Sequence, residues 1–485
     1  MKMDIIKKVR NVEWEYEVNR KEALLLRSLI DPSYYNLKKL TGINWRANKI
    51  VRFSSGEFYH DKKEMNRLFK IYDNGGIEIM NRLKRALVRN VNYLYQVAEK
   101  KSKINVQRLS RKELAEHLRE FFQAALNAHC FFVTMVVADR VITAWIKEWL
   151  EKSYNSNGLE DLFALIYPKK QNVHFSEQLA FLKLIQYYQN NDKNIKSKIK
   201  LHVKKFGLIG ARNYRFQKNW NESDILDRIK QFLKQKKDPV VERKNLILAS
   251  KDAKLRSNRI LKGLKIKNKN SFKIVIELAK EFAYLRTWRS DIIYVAGFKS
   301  KHLFYETLSR YGVDANNAEY YTYKEILNLV KRNKSVPEAE INKRKKGYVT
   351  LYWNRKYGVF SDPKIISAAI GVIEIQNKNE KVVKGNTAFP GVITGKATIV
   401  LSPEDLVKVK TGDILVAVMT FPHYIAAMEK ASAFVTDEGG ILCHAAIIAR
   451  EMGKPCIVGT KNGTRLIKDG DHIIVNAEKG TVVKT

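Results

Sequence analysis

The chain has 485 residues, 45% of them hydrophobic, and carries 89 Lys+Arg against 50 Asp+Glu, a formal net charge of +39. That length exceeds one ordinary core and predicts about three domains of ~150 residues, while the apolar content excludes wholesale disorder. Three cysteines, Cys130, Cys443 and Cys456, show no CxxC spacing, which argues against a disulfide framework or zinc ribbon and for a reducing cytoplasm.

In chain order, the N-terminal MKMDIIKKVRNVEWEYEVNRK lacks the apolar core of a signal peptide. Apolar residues recurring at three and four predict helices over Arg111 to Lys152, Ser271 to Tyr284, Lys301 to Tyr311 and Tyr323 to Lys331. Loop signals separate such segments: DNGG at 73–76, YNSNG at 154–158 and YGVDANNAEYY at 311–321. The apolar run Cys130 to Ala138 stops at Asp139-Arg140. It is too short to span a bilayer and reads as a buried helix, so no membrane association is expected. Residues 336–384 read as short strand-like or irregular pieces ending in a polar linker at about 376–384.

Charge and glycine divide the chain in opposite senses. Residues 385–485 hold 11 Lys+Arg and 10 Asp+Glu, so residues 1–384 carry 78 and 40, a net of +38. Such an excess fits a Lys-, Asn- and Ile-rich composition as well as a surface for an anionic ligand, an acidic partner or nucleic acid. It names no function. Twelve of the 24 glycines, by contrast, fall in 370–485.

The last hundred residues alternate short β-rich runs with helices. ATIVLS (397–402), DILVAVM (413–419), AFVTD (433–437), CIVG (456–459) and HIIVNA (472–477) are the strands. SPEDLVKV begins a helix with Ser402 as N-cap and Pro403 at its first position. FPHYIAAMEKA and HAAIIAREMG are further helices, the latter stopped by Gly453 and Pro455. In TDEGGILCHAAIIAREMG, strand, glycine loop and helix follow in series, placing His444 at a helix start where unpaired N–H groups favour anions. Gly439 and Gly440 permit a close backbone approach, and Arg450 could balance charge. The residues alone leave three readings open: a packed core histidine, a metal ligand beside Cys443, or a nucleophile for a phosphoryl group.

Taken with its flanks, FPGVITGKATIVLSPEDLVKVKTGDILVAVMT before it and RLIKDGDHIIVNAEKGTV after it, this segment resembles the phosphohistidine swivelling (mobile) domain of the phosphoenolpyruvate-utilising enzymes. That group includes phosphoenolpyruvate synthase, pyruvate phosphate dikinase and rifampicin phosphotransferase, and the resemblance covers about 389–483. It implies that His444 is transiently phosphorylated and swings between a nucleotide site and an acceptor site. It also implies that Thr436, Gly439, Gly440 and Cys443 line the histidine, with Met419, Thr420 and Pro422 in a loop beside it. The dikinase's regulatory threonine is replaced by Leu442. Cys443, a thiol beside a cationic helix start, invites a redox role as an alternative to packing.

Relatives charge this histidine with an ATP-grasp module, whose glycine-bearing loops and Mg²⁺ carboxylates residues 1–384 do not display. No cofactor or metal is therefore expected on this chain. ATP and Mg²⁺ are expected on a separate ATP-grasp partner, and the acceptor or donor is open between pyruvate or phosphoenolpyruvate and a small hydroxylated molecule. Residues 282–330 resemble, more weakly, the helical substrate-binding module of rifampicin-phosphotransferase-like proteins. There Arg286 and Arg289, three apart on one helix face, are candidate anion ligands, with an ordinary ion-paired surface as the alternative.

The fold expected is α+β and multidomain. A basic, mainly α-helical region at 1–335 serves substrate binding or docking, 336–384 connects, and an α/β swivelling phosphohistidine domain occupies 385–485. The function expected is a phosphotransferase component. The alternative is a non-catalytic basic protein that keeps the swivelling fold and binds nucleic acid or an acidic partner.

Overall fold

The computed structural model describes residues 2–19, 22–153, 159–212, 219–234, 236–263, 269–377, 382–401, 403–420, 424–440 and 443–485. The loop read at 154–158, the Ser402 cap, Pro422 and Leu442 lie outside the described residues.

An antiparallel five-stranded sheet opens the fold, built from β1 (Trp14–Asn19), β2 (Lys49–Phe53), β3 (Glu57–Asp61), β4 (Val349–Trp353) and β5 (Lys356–Phe360) in the order β1-β3-β2-β4-β5. Strands β4 and β5 come from the stretch that reads as connecting pieces, and β4 pairs with β2 in the register Ile50↔Tyr352 and Val51↔Leu351. Alternation then sorts the side chains by face. Ile50, Phe58 and Tyr352 enter the large helical core, whereas Val51, Tyr59 and Leu351 meet a second core with Ile365 and Ile373.

The helical body is assembled around α1 (Leu24–Ser33), α2 (Lys62–Lys101), α3 (Arg111–His129), α4 (Phe131–Ser153) and α5 (Lys269–Lys299). DNGG does divide two helical stretches, though by a kink and not by a loop: within α2 they meet at Gly76, which takes φ 54° and ψ −148°. The single helix expected over Arg111 to Lys152 is two, with Cys130 between them. Ser110 starts α3 with a capping box: its hydroxyl accepts from the Glu113 amide, and the Glu113 carboxylate accepts from the Ser110 amide. The most apolar 18-residue window of this pair is 72% buried inside the protein, as a core helix should be. A smaller core, with Phe181, Ile185, Ile225 and Ile229, joins the helices of residues 173–263. Helix α6 (Pro363–Asn377) covers the outer face of the first sheet.

The C-terminal region forms an eight-stranded mixed sheet. Its strands are β6 (Val382–Lys384), β7 (Asn386–Phe389), β8 (Val392–Val400), β9 (Ile414–Ala417), β10 (Ala433–Thr436), β11 (Cys456–Val458), β12 (His472–Asn476) and β13 (Thr481–Lys484). Their order is β6-β13-β12-β8-β9-β10-β11-β7, with β8 through β11 parallel. Leu415, Phe434 and Cys456 pack on one face beneath helix α7 (His444–Met452), and Ile414, Val435 and Ile457 pack on the other. Gly453 ends α7 in the left-handed conformation at φ 64°. Residues 403–408 form a 3-10 turn in place of the expected helix. The whole is an α+β fold, a large helical region followed by a sheet domain.

Candidate active site at the ends of the parallel strands

In a parallel sheet flanked by helices, the loops leaving the C-terminal strand ends converge on one edge, where ligands are usually held. Here three such loops meet: Val418–Thr420 after β9, Asp437–Gly440 after β10 and Gly459–Thr464 after β11. Backbone bonds hold them together. The Asp437 amide donates to Ala417 O at 3.0 Å and the Glu438 amide to Val418 O at 2.8 Å. On the other side the Thr460 amide donates to Thr436 O at 3.0 Å.

His444 is the first helical residue of α7, with Cys443 as its N-cap at φ −74° and ψ 166°. Its Nδ1 lies 2.8 Å from the hydroxyl of Thr420, a buried residue of the β9 loop. When that oxygen accepts from Nδ1–H, the ring's lone pair resides on Nε2. Nε2 is itself buried in this arrangement.

The two glycines differ in what they do. Gly439 takes φ +114°, and a Cβ there would lie 2.6 Å from Cys443 Sγ. Its carbonyl oxygen sits 2.8 Å from where Gly459, at φ +69°, would carry a Cβ, so the β10 and β11 loops meet backbone to backbone. Gly440 faces the helical region. A Cβ on it would lie 3.5 Å from Arg286 Nη1 and 4.0 Å from Asp139 Oδ2. Thr436 donates its hydroxyl proton to Glu438 O at 2.9 Å, bracing the same loop.

The other sequence-derived candidates lie around this loop and on the helices facing it, and the charge of Arg450 bears on the Cys443 thiol. Arg450 donates to Ala446 O, one turn back in its own helix, at 2.9 Å. Burial pushes the Cys443 thiol up, against the pull of Arg286 and the α7 amides. That is the wrong direction for a reactive thiolate. Arg286 and Arg289 do not act as a pair. Arg289 is 3% exposed and donates to Phe131 O at 2.5 Å and to Phe132 O at 3.0 Å, tying α5 to the start of α4. Arg286 is ion-paired to Asp139 at 2.8 Å beside Gly440. The structure thus separates a packing arginine from one that meets the histidine loop.

Sequence reasoning misses Asp437, Thr460 and Thr464. The buried Asp437 carboxylate accepts from Thr460 Oγ1 at 2.9 Å, the Thr464 amide at 3.1 Å and the Thr464 hydroxyl, and burial raises its pKa to about 6. The only local sign is a Gly-Thr step directly after the CIV strand.

The histidine loop does not face bulk water alone. Lys461 pairs with Glu15 of β1, Arg465 lies over the Tyr16 ring at 5.8 Å, and Val418 packs against the helical core. Farther along, Lys237 pairs with Glu429. The sheet domain is thus seated on β1, α4 and α5.

Residues 409–480 match the family described as "PEP-utilising enzyme, mobile domain". The chain is 50% identical over 101 residues to a probable phosphoenolpyruvate synthase of Archaeoglobus fulgidus, covering 21% of this chain and 13% of that protein. It is 46% identical over 105 residues to the phosphoenolpyruvate synthase of Pyrococcus furiosus, covering 22% and 13%. To the rifampicin phosphotransferase of Bacillus cereus it is 33% identical over 167 residues, covering 34% and 18%. The matches span less than a fifth of each of these relatives. The C-terminal part of the chain is similar to the mobile domain of the phosphotransferase family that includes phosphoenolpyruvate synthase and rifampicin phosphotransferase.

Proposed function

We propose that this protein is a phosphotransferase component that carries a phosphoryl group on His444 between a nucleotide site and an acceptor. The single observation that carries this reading is the Thr420–His444 contact at the end of the parallel strands. It orients the imidazole by Nδ1 and directs the lone pair of Nε2 to the phosphorus. The first-turn amides of α7 and the positive end of its dipole offset the incoming charge. In the charging step the Nε2–P bond forms as the donor's P–O bond breaks; in delivery the N–P bond breaks as an acceptor oxygen bonds to phosphorus.

Burial of Nε2 in the seated arrangement supports a cycle in which the sheet domain leaves its seat to be charged. The nucleotide site, with ATP and Mg²⁺, belongs in this reading to a separate ATP-grasp subunit. The exposed lysines of residues 195–206, with Lys196, Lys200 and Lys204 four apart on one line of the helix, suit an acidic docking face on that subunit. The acceptor is a small molecule, with pyruvate and a hydroxylated compound as its two candidate classes.

The test is transfer from labelled ATP in the presence of the ATP-grasp partner. The expected product is an acid-labile, base-stable adduct on the wild-type chain that His444→Ala abolishes. Equal labelling of His444→Ala overturns the reading.

A further inference from the structure

The seated sheet domain brings the histidine loop against a feature the sequence alone does not join to it. Asp139 directly follows the apolar run of α4, and Arg286 lies on α5, 147 residues away in sequence. They pair at 2.8 Å, and both reach the α-carbon of Gly440 so closely that a methyl group there would touch them. The Cys443 amide donates to Gly440 O at 2.9 Å, folding Gly440 back beside the start of α7. The Arg286 cation also bears on the Cys443 thiol, the residue next to His444.

We propose that Arg286 is the phosphoryl-recognition residue of the helical region and that Asp139 is its resting counter-ion. The inference rests on the reading of His444 as a phosphohistidine. With the histidine uncharged, Arg286 is satisfied by Asp139. When the domain returns with a phosphoryl group on Nε2, the guanidinium turns from the carboxylate to the phosphoryl oxygens, which it fits as a two-pronged donor.

The two side chains are 25% and 27% exposed, so water reaches both charges, and the exchange replaces one anionic partner of the guanidinium with another. Arg289 cannot substitute, since its guanidinium holds the carbonyls of Phe131 and Phe132. Elsewhere along the seam Glu17 is faced by Arg140 and Lys461 and by the carboxylates Glu15 and Glu438, and Lys461 is already paired with Glu15.

Asp139, released from Arg286, becomes available to take a proton. An acceptor bearing a hydroxyl group would then form its O–P bond as N–P breaks and pass its proton to the Asp139 carboxylate.

The full chain can be phosphorylated chemically with phosphoramidate, a small donor that needs no partner protein, and its phosphohistidines followed by ³¹P NMR. The His444 resonance is the one missing from His444→Ala. The phosphoryl group next to Arg286 should titrate about one pH unit lower in wild type than in Arg286→Ala, with Arg286→Lys between them. Asp139→Asn should leave it as low as wild type or lower. Identical titration in wild type and Arg286→Ala, with His444 labelled in both, overturns the proposal and leaves the phosphohistidine reading intact. A wild-type chain whose His444 takes no label either from phosphoramidate or from ATP in the presence of an ATP-grasp protein overturns that reading, and this proposal with it.

Discussion

Thr420 Oγ1, on the loop after β9, and His444 Nδ1, at the start of the helix that follows the adjacent parallel strand β10, lie 2.8 Å apart. The contact joins residues 24 apart in sequence. It gives the imidazole one defined orientation, which a transferring nitrogen requires. Thr420→Val keeps the shape and removes the hydroxyl. A hydrogen bond of ~1 to 1.5 kcal/mol corresponds to about tenfold in rate. The phosphorylation rate of His444 should fall by roughly that factor while thermal stability holds, as quenched-flow labelling and a melting curve would show.

The glycine pair separates backbone demands from contact demands. Gly439→Ala forces a side chain into φ +114° and against Cys443, a strain of about 1–3 kcal/mol, and should destabilise the sheet domain and suppress labelling. Gly440→Ala meets Arg286 at an ordinary contact distance and should fold normally. Chemical denaturation of the two variants checks the contrast. Equal stability would show that the β10 loop is less constrained than its geometry implies.

Asp437 predicts an unusual pH slope. Its folded pKa of about 6 lies above the ordinary 3.8, so the folded state binds more protons between those values. Stability therefore falls as pH rises from about 4 to about 6, by at most about 3 kcal/mol, and levels off above. Asp437→Asn should flatten that slope. Amide exchange of β10 across this range reads it within the sheet domain, which holds none of the seven tryptophans.

His60 predicts the opposite slope in the other sheet. It is 1% exposed and lies against Phe58 with ring centroids 4.2 Å apart and planes tilted by 52°, and among the described residues neither ring nitrogen meets a hydrogen-bond partner. Burial, then the Arg52 cation, hold its pKa well below the ordinary value. Only the unfolded chain takes up this proton near pH 6.5, so stability falls as pH drops below ~6.5, by about 1.4 kcal/mol per unit. His60→Phe should remove that acid sensitivity. Fluorescence of the fully buried Trp45 in urea titrations reports on this core.

The C-terminal elements are legible because each is local. Short β-branched runs between Gly-containing turns predict β8 through β12, and HAAIIAREMG ended by Gly453 predicts α7. The first sheet is not legible in the same way. WEYEVN, KIVRF and EFYHD are short strands in a helix-rich region, and β2 is completed by β4 some 300 residues later. No local period encodes that pairing.

The site divides along the same line. His444 and its glycines sit in one continuous motif, whereas Asp437 needs Thr460 and Thr464 from the next strand's loop. Arg286 and Arg289 look equivalent in sequence because spacing reports a shared face and not what covers it. The fold buries one against carbonyls and leaves the other at the seam.

The central claim is that phosphorus is bonded to Nε2 of His444. Tandem mass spectrometry of the chain labelled from ATP in the presence of an ATP-grasp protein, handled at alkaline pH, locates the residue, and ³¹P NMR distinguishes the two ring nitrogens. The account predicts phosphate on His444, bonded through Nε2, with none in His444→Ala. Phosphate on another residue, or on Nδ1 of His444, contradicts it.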